Sequence, residues 1–130
     1  MILVTYVDLT QADKENMISG LGASVSGLWV FVRKLENAAR NIASSNTDGY
    51  KARRATVLEG KDGLPEVHIS VDTASGALLQ DSDGTTRETS NVEVPEEMAD
   101  LLLVKRGYEA NLKSMKTQDE MYDSLLDITV

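Results

Sequence analysis

Residues 18–45, ISGLGASVSGLWVFVRKLENAARNIASS, contain a seven-residue repeat of apolar side chains from which the fold class follows. The repeated apolar positions are Leu21, Val25, Leu28, Val32, Leu35, Ala39 and Ile42. Steps that alternate between four and three residues place these side chains along one stripe of an α-helix. The repeat therefore predicts a long helix over residues 18–45, and the apolar stripe of this helix needs a partner.

The predicted end of this helix is the stretch SSNTDGY at residues 44–50. Asn, Asp and Gly tolerate the left-handed backbone conformation, and Asn and Asp side chains can bond to their own backbone. We expect Gly49 to adopt a positive φ at this helix exit, where glycine is the usual solution.

A second heptad repeat lies in the last third of the chain, where Pro95 suits the start of a helix over residues 95–128. Its positions are Met98, Leu101, Lys105, Tyr108, Leu112, Met115, Asp119, Tyr122 and Leu126. The two charged members, Lys105 and Asp119, would help to set register and partner. We expect the two terminal helices to pair as an antiparallel coiled coil with Leu112 buried in the shared interface.

The stretch between the helices, residues 50–90, has the pattern of short β-strands. Val67, Ile69 and Val71 alternate with polar residues, and Gly-containing turns separate the segments. Three or four strands of this length cannot form an independent core and must pack on a helix. The predicted fold class is mainly α with a small β insert, as one elongated module over residues 18–130. Residues 1–17 are interpreted as an N-terminal extension.

Composition restricts the chemistry open to this chain of 130 residues. It has no cysteine and one histidine, which excludes thiolate metal sites, cysteine nucleophiles and two-histidine metal sites within one chain. We expect no catalytic residue, metal or cofactor, and we interpret His68 as an exposed strand residue. The net charge of −8 disfavours nucleic acid as a partner.

Charge is distributed unevenly along the chain. Residues 33–54 hold six basic and two acidic residues, a local charge of +4, whereas residues 59–100 hold two basic and eleven acidic residues, a local charge of −9. Opposite blocks in one chain suit head-to-tail self-association. The same pattern is equally typical of two solvated faces.

Two motifs resemble the flagellar basal-body rod and hook family of bacterial axial proteins. The first motif is NIASSNTDGYKA at residues 41–52. The second comprises NVEVPEEM at 91–98 and RGYEANLK at 106–113, and it ends in TQDEM at 117–121 and LLDI at 125–128. Gly107 departs from the pattern, because many relatives carry alanine there. The motif and assembly residues that the resemblance indicates are Asn41, Ile42, Asn46, Thr47, Gly49, Tyr50, Asn91, Met98, Arg106, Tyr108, Glu109, Asn111, Leu112 and Met121.

The resemblance implies a structural subunit of the bacterial flagellar basal-body rod that is not an enzyme. Its implied partners are copies of itself, other rod and hook proteins and the flagellar type III export apparatus, with no small-molecule substrate. The implied location is the periplasm-spanning rod, reached from the cytoplasm without a cleaved signal peptide. The short length is most like the proximal-rod (FlgC-type) members.

Two other functions remain open on the residues alone. A helical adaptor or regulatory protein could dimerise through the same heptads without polymerising. A small hydrolase built around His68 is the third hypothesis, and replacement of His68 would distinguish it from a structural protein.

Overall fold

A computed structural model describes residues 2–128, with the side chains of residues 15–16, 18–124 and 127. The elements in chain order are α1 (Ile2–Ala43), β1 (Arg53–Glu59), β2 (Pro65–Val71), β3 (Leu78–Gln80), β4 (Thr86–Glu88) and α2 (Val94–Ile128). The fold is mainly α with a small antiparallel β region between the two helices, which is the predicted class.

Helix α1 starts earlier than predicted. Its backbone is helical from Ile2, so residues 2–17 continue the helix that was predicted to begin at residue 18. These residues contain no glycine or proline, and nothing in them breaks a helix. The heptad repeat, which begins at Leu21, indicated only the part of the helix that has an apolar stripe.

The β region consists of two antiparallel hairpins. In the first, β1 pairs with β2 from Arg53↔Val71 to Glu59↔Pro65. In the second, β3 pairs with β4 from Leu78↔Glu88 to Gln80↔Thr86. Each hairpin turns through a glycine with positive φ, at 71° for Gly63 and 85° for Gly84.

Helices α1 and α2 contact each other in antiparallel order. The Asn111 side-chain amide of α2 donates to the Ser24 carbonyl of α1 at 2.7 Å. Nearer the ends of the pair, Gly20 lies beside Gln118, and Asn41 bonds to Glu97. As the residue number on α1 increases from 20 to 41, the number of the contacting residue on α2 decreases from 118 to 97, which shows that the two helices are antiparallel.

The contacting residues of α1 lie one position before the predicted stripe. Gly20, Ser24, Gly27, Phe31, Ala38 and Asn41 face α2 or lie buried beside it, with the heptad spacing displaced by one residue. The predicted stripe lies on the neighbouring flank of the helix, where Leu35 is 47% exposed. Leu112 is 43% exposed, so its expected burial between the helices of one chain was wrong.

The first hairpin covers one side of the helix pair and leaves the other side open. Ser26 Oγ donates to the Pro65 carbonyl at 3.2 Å, and Asn37 Nδ2 donates to the Arg53 carbonyl at 2.7 Å. On the opposite side, an apolar groove runs between the helices and is lined by Phe31, Val32, Leu35, Val104, Lys105 and Tyr108. We call this side, which carries the heptad positions of both helices, the open face.

The chain buries little apolar surface. Among the described side chains, the buried apolar residues are Val30, Ala38, Ala52 and Val104. The accessible surface is 9918 Å², whereas a compact monomer of this mass exposes about 6,800 Å². No helix in the described part of the chain is long and apolar enough to span a membrane.

Candidate functional site

Among the described side chains, that of Asn41, near the end of α1, has the most complete set of hydrogen-bond partners. Its side chain is 0% exposed. The amide Nδ2 donates to the Arg53 carbonyl and to Glu97 Oε1, both at 2.7 Å. The Oδ1 atom accepts from Arg53 N–H at 2.9 Å and from the Tyr50 hydroxyl at 3.2 Å. Asn41 therefore uses both donors and both acceptor positions and joins α1, the following turn, β1 and α2.

We call the cluster of Asn41, Tyr50, Arg53, Asn91 and Glu97 the junction. Asn91, in the loop before α2, accepts from Ala52 N–H at 2.6 Å through Oδ1. Its Nδ2 donates to the carbonyls of Asp72 and Ala74. The first residue of each sequence motif, Asn41 and Asn91, thus binds the backbone of the same short segment that leads into β1.

Glu97 is a buried carboxyl group in the first turns of α2, 8% exposed. Burial raises the pKa of Glu97 because a charged carboxylate loses its hydration there. The hydrogen bond from Asn41 acts in the opposite direction and favours the charged form. The nearby carboxylates of Asp100 and Glu96 add to the rise in pKa, whereas the cation of Arg54 opposes it.

Ion pairs surround the junction at the surface. Arg54 pairs with Glu96 at 3.1 Å and with Asp72 at 3.3 Å, which ties β1 to the start of α2 and to the end of β2. Lys51 pairs with Glu88 at 2.7 Å. Hydrogen bonds from Lys51 and from Gly76 N–H to Glu88 lower the pKa of that carboxyl group.

The turn after α1 has the geometry that its sequence predicts. Gly49 has a φ of 68°, which confirms the expected left-handed conformation. Its N–H donates to the Glu88 carbonyl at 2.8 Å, so the turn is held against β4. Thr47 takes part through its backbone, which accepts from Tyr50 N–H at 3.2 Å.

The structure separates the predicted assembly residues into two sets. Asn41, Tyr50 and Asn91 meet at the junction, and Asn111 contacts α1. Of the remaining members, Ile42 is half-buried and the others are exposed. The exposed members are Asn46, Thr47, Gly49, Met98, Arg106, Tyr108, Glu109, Leu112 and Met121. Within one chain, the exposed members of the second set are accessible to partners.

Two residues of the junction region were not selected from the sequence. Glu97 belongs to the second motif, but an acidic residue in the first turn of a helix is ordinarily solvated. Asn37 lies one helical turn before Asn41 and bonds to the same Arg53 carbonyl. Two asparagines four residues apart on the buried side of a helix were the signal that could have identified this pair.

The arrangement is suited to holding segments together. Within the described residues, no group of three or more His, Asp or Glu side chains has the geometry to hold a metal ion. His68 lies in β2 opposite Thr56 and is exposed, as expected. The polar atoms of Asn41 all bond to groups of the protein, so the junction stabilises structure.

Comparison with known families gives one match. Residues 84–128, which include β4 and α2, match the model of the family described as flagellar basal body rod FlgEFG protein C-terminal. The match supports the resemblance to the rod and hook family, which is a family of structural proteins and not of enzymes. It covers about a third of the chain and contains the second motif. No curated protein matches the sequence.

Proposed function

We propose that this chain is a structural subunit of the bacterial flagellar basal-body rod, of the short proximal-rod (FlgC-type) kind. The observation that carries the proposal is the match of residues 84–128 to the rod protein C-terminal family. The junction adds a second argument, because residues of both motifs bind one another's segments there. Asn41 of the first motif bonds to Glu97 of the second at 2.7 Å.

The exposed apolar surface supports a role as a subunit. Exposed apolar patches beyond a few hundred Å² are typical of interaction sites. Apolar heptad positions of both helices are exposed, among them Leu35 at 47%, Met98 at 57% and Leu112 at 43%. In the proposed rod, heptad positions on the open face pack as coiled coils against helices of neighbouring subunits.

The remaining parts of the proposal follow from this role. The partners are copies of this chain and other rod and hook proteins, with neither nucleic acid nor a small-molecule substrate. The location is the basal body, after export from the cytoplasm by the flagellar type III apparatus.

The direct experiment asks whether the protein is part of the rod. Basal bodies are purified from a flagellated host that expresses the chain, and the protein is located in them by immunogold electron microscopy. The proposal predicts labelling between the membrane rings and loss of swimming in soft agar after deletion of the gene. Absence of the protein from purified basal bodies would overturn it.

A pair of neighbouring substitutions then tests the open face. Leu112→Ala should abolish swimming while changing the free energy of unfolding of the isolated chain by only a few tenths of a kcal/mol, since Leu112 is half-exposed there. Lys113→Ala, at the next and exposed position, is the control and should swim normally. Normal swimming with Leu112→Ala would contradict the proposed use of this face.

Replacement of His68 separates the structural role from an enzyme. The rod proposal predicts normal swimming for His68→Ala, because this exposed side chain lies on the first hairpin and not on the open face. Loss of function in His68→Ala alone would restore the hydrolase hypothesis. A protein that binds a cytoplasmic partner and never enters basal bodies would instead be the non-polymerising adaptor.

A further inference from the structure

Two opposite charges interrupt the apolar heptads of α2 at symmetrical positions. Lys105, Leu112 and Asp119 follow one another at intervals of seven residues and therefore lie on the same flank of the helix. Lys105 is seven residues before Leu112, and Asp119 is seven residues after it. At about 1.5 Å per residue, each charge lies about 10 Å along the helix from Leu112.

This flank is exposed in the single chain. Leu112 is 43% exposed and Met98, two heptads earlier, is 57% exposed. The apolar groove between α1 and α2 runs beside it and includes Lys105 in its lining. Nothing in the described part of the chain covers this surface, because the first hairpin packs on the other side of α1.

We propose that the open face binds the open face of a second copy of this chain, with the two α2 helices antiparallel across a two-fold axis near Leu112. In that arrangement, Lys105 of each copy lies level with Asp119 of the other. Because the axis is two-fold, the contact between Lys105 and Asp119 occurs twice, once on each side of the axis. The two Leu112 side chains meet at the axis. A parallel arrangement would instead place Lys105 against Lys105.

The interactions of Lys105 within the chain are too weak to hold it in place. Its ammonium group lies 3.8 Å from Glu109 Oε1, in a pair whose side chains are 71% and 61% exposed. A helical pair of this kind at the surface contributes little. Lys105 can therefore turn towards a partner without losing a strong contact.

The size of the face is sufficient for a specific interface. The stretch 98–122 of α2 is about 36 Å long, and two adjacent helices are about 20 Å wide. Their product is about 700 Å², close to the roughly 800 Å² that each partner contributes to an interface of standard size. The face that a second copy covers is thus large enough for a stable dimer.

This inference does not depend on the rod role. A two-fold contact closes on itself and cannot build a tube, which requires head-to-tail contacts. The proposed dimer is therefore the form of the protein before assembly. For the rod role, the dimer must open, or the chain must also use another surface. If the dimer does not form, the protein can still be found in basal bodies. If the protein is absent from basal bodies, the dimer can still be measured in solution.

Charge reversal tests the dimer by sedimentation equilibrium of the full chain at low salt. Lys105→Asp creates acid–acid contacts across the axis, and Asp119→Lys creates base–base contacts. Each substitution should therefore weaken the dimer and raise its Kd by about tenfold or more. The double variant Lys105→Asp with Asp119→Lys restores both contacts and should return to within about threefold of the original Kd. Lys113→Asp, an acidic substitution on the outer face of the same helix, should have little effect.

Mixing the two weakened variants gives a second measurement. A copy with Lys105→Asp complements a copy with Asp119→Lys at both contacts, so the mixture should form heterodimers more tightly than either variant alone. All substituted positions are exposed, and circular dichroism of each variant checks that the helices are intact. A chain that remains monomeric at high concentration, or single reversals that leave the Kd unchanged, would overturn the proposal.

Cross-linking locates the axis independently of charge. The chain has no cysteine, so Leu112→Cys introduces a single thiol, and mild oxidation should convert most of the protein into a disulfide-linked dimer. Lys113→Cys, which faces away from the axis, should cross-link poorly. Equal cross-linking at both positions would contradict the proposed geometry.

Discussion

The two ends of the helix pair differ in how much of their structure one chain can stabilise. At the junction end, Asn41 is fully buried and every polar atom of its side chain has a partner. At the other end, α1 contains Gly20 and Gly22, and α2 has Gln118, whose Oε1 is buried without a hydrogen-bond partner. Among the described residues, the junction end is therefore more completely hydrogen-bonded within one chain than the far end.

This difference indicates how a chain with so few buried apolar residues keeps a defined shape. Hydrogen bonds to buried polar groups form only in a specific geometry. Loss of one partner leaves the other group buried without a hydrogen bond, which costs free energy. The junction therefore fixes where the hairpins and α2 start relative to α1. The apolar heptad positions do not fix the position of one segment relative to another within the chain, and they remain accessible to partners.

The largest effect is expected at Asn41. Asn41→Ala removes four hydrogen bonds and leaves Glu97 and the N–H of Arg53 buried without this partner, which should lower the free energy of unfolding by at least about 3 kcal/mol. Asn46→Ala, at an exposed asparagine of the same motif, is the control and should change it by less than about 0.5 kcal/mol. Urea titrations of both variants measure the difference, and equal effects would show that the junction is not the stabilising unit.

The next effect concerns the middle of the helix pair, where Phe31 lies against Gly107. A Cβ at residue 107 would lie 2.6 Å from Phe31 Cζ, so Gly107→Ala should destabilise the protein by about 1–3 kcal/mol through overpacking. In a Phe31→Ala background the clash is absent, and the same substitution should stabilise the helix by up to about 1 kcal/mol. Additive effects in this double-mutant cycle would exclude the contact.

Glycines at the two ends should respond in opposite directions. Gly49→Val forces a β-branched residue into a φ of 68° and should cost about 1–2 kcal/mol. Gly22→Ala, at a helical position with open space around its Cβ, should stabilise the chain by about 0.5–1 kcal/mol. Thermal melting tests both, and an unchanged midpoint for Gly49→Val would contradict the turn geometry.

The smallest effect is a pH dependence at Glu97. Its pKa is raised in the folded state, so its contribution to stability is fully present below the unfolded pKa and is lost as pH rises through the folded pKa. Glu97→Gln keeps an oxygen for Asn41 but does not titrate. The variant should therefore gain stability relative to the original chain as the pH rises from below the ordinary pKa of a glutamate carboxyl group through the raised pKa of Glu97. A change in the opposite direction would show that the hydrogen bond from Asn41 outweighs burial.

Much of the local structure was predictable because it depends on neighbouring residues. The turn at Gly49, the alternation of Val67 and Ile69 in β2 and the start of α2 near Pro95 all follow from short sequence patterns. The start of α1 was not predictable from the repeat, because residues 2–17 lack its heptad pattern. Glu97 and Asn37 were missed, since their burial depends on segments distant in sequence.

Two heptad-bearing helices around a small β region follow from the sequence alone, because helical and strand periods are properties of consecutive residues. Which flank of each helix faces the other depends on packing between segments that are distant in sequence. Neighbouring flanks share the same heptad spacing, so the repeat could not distinguish them. Packing chose the flank where Phe31 fits against Gly107 and where Asn111 reaches the Ser24 carbonyl. The apolar stripe was thereby left on the open face, at the surface of the chain.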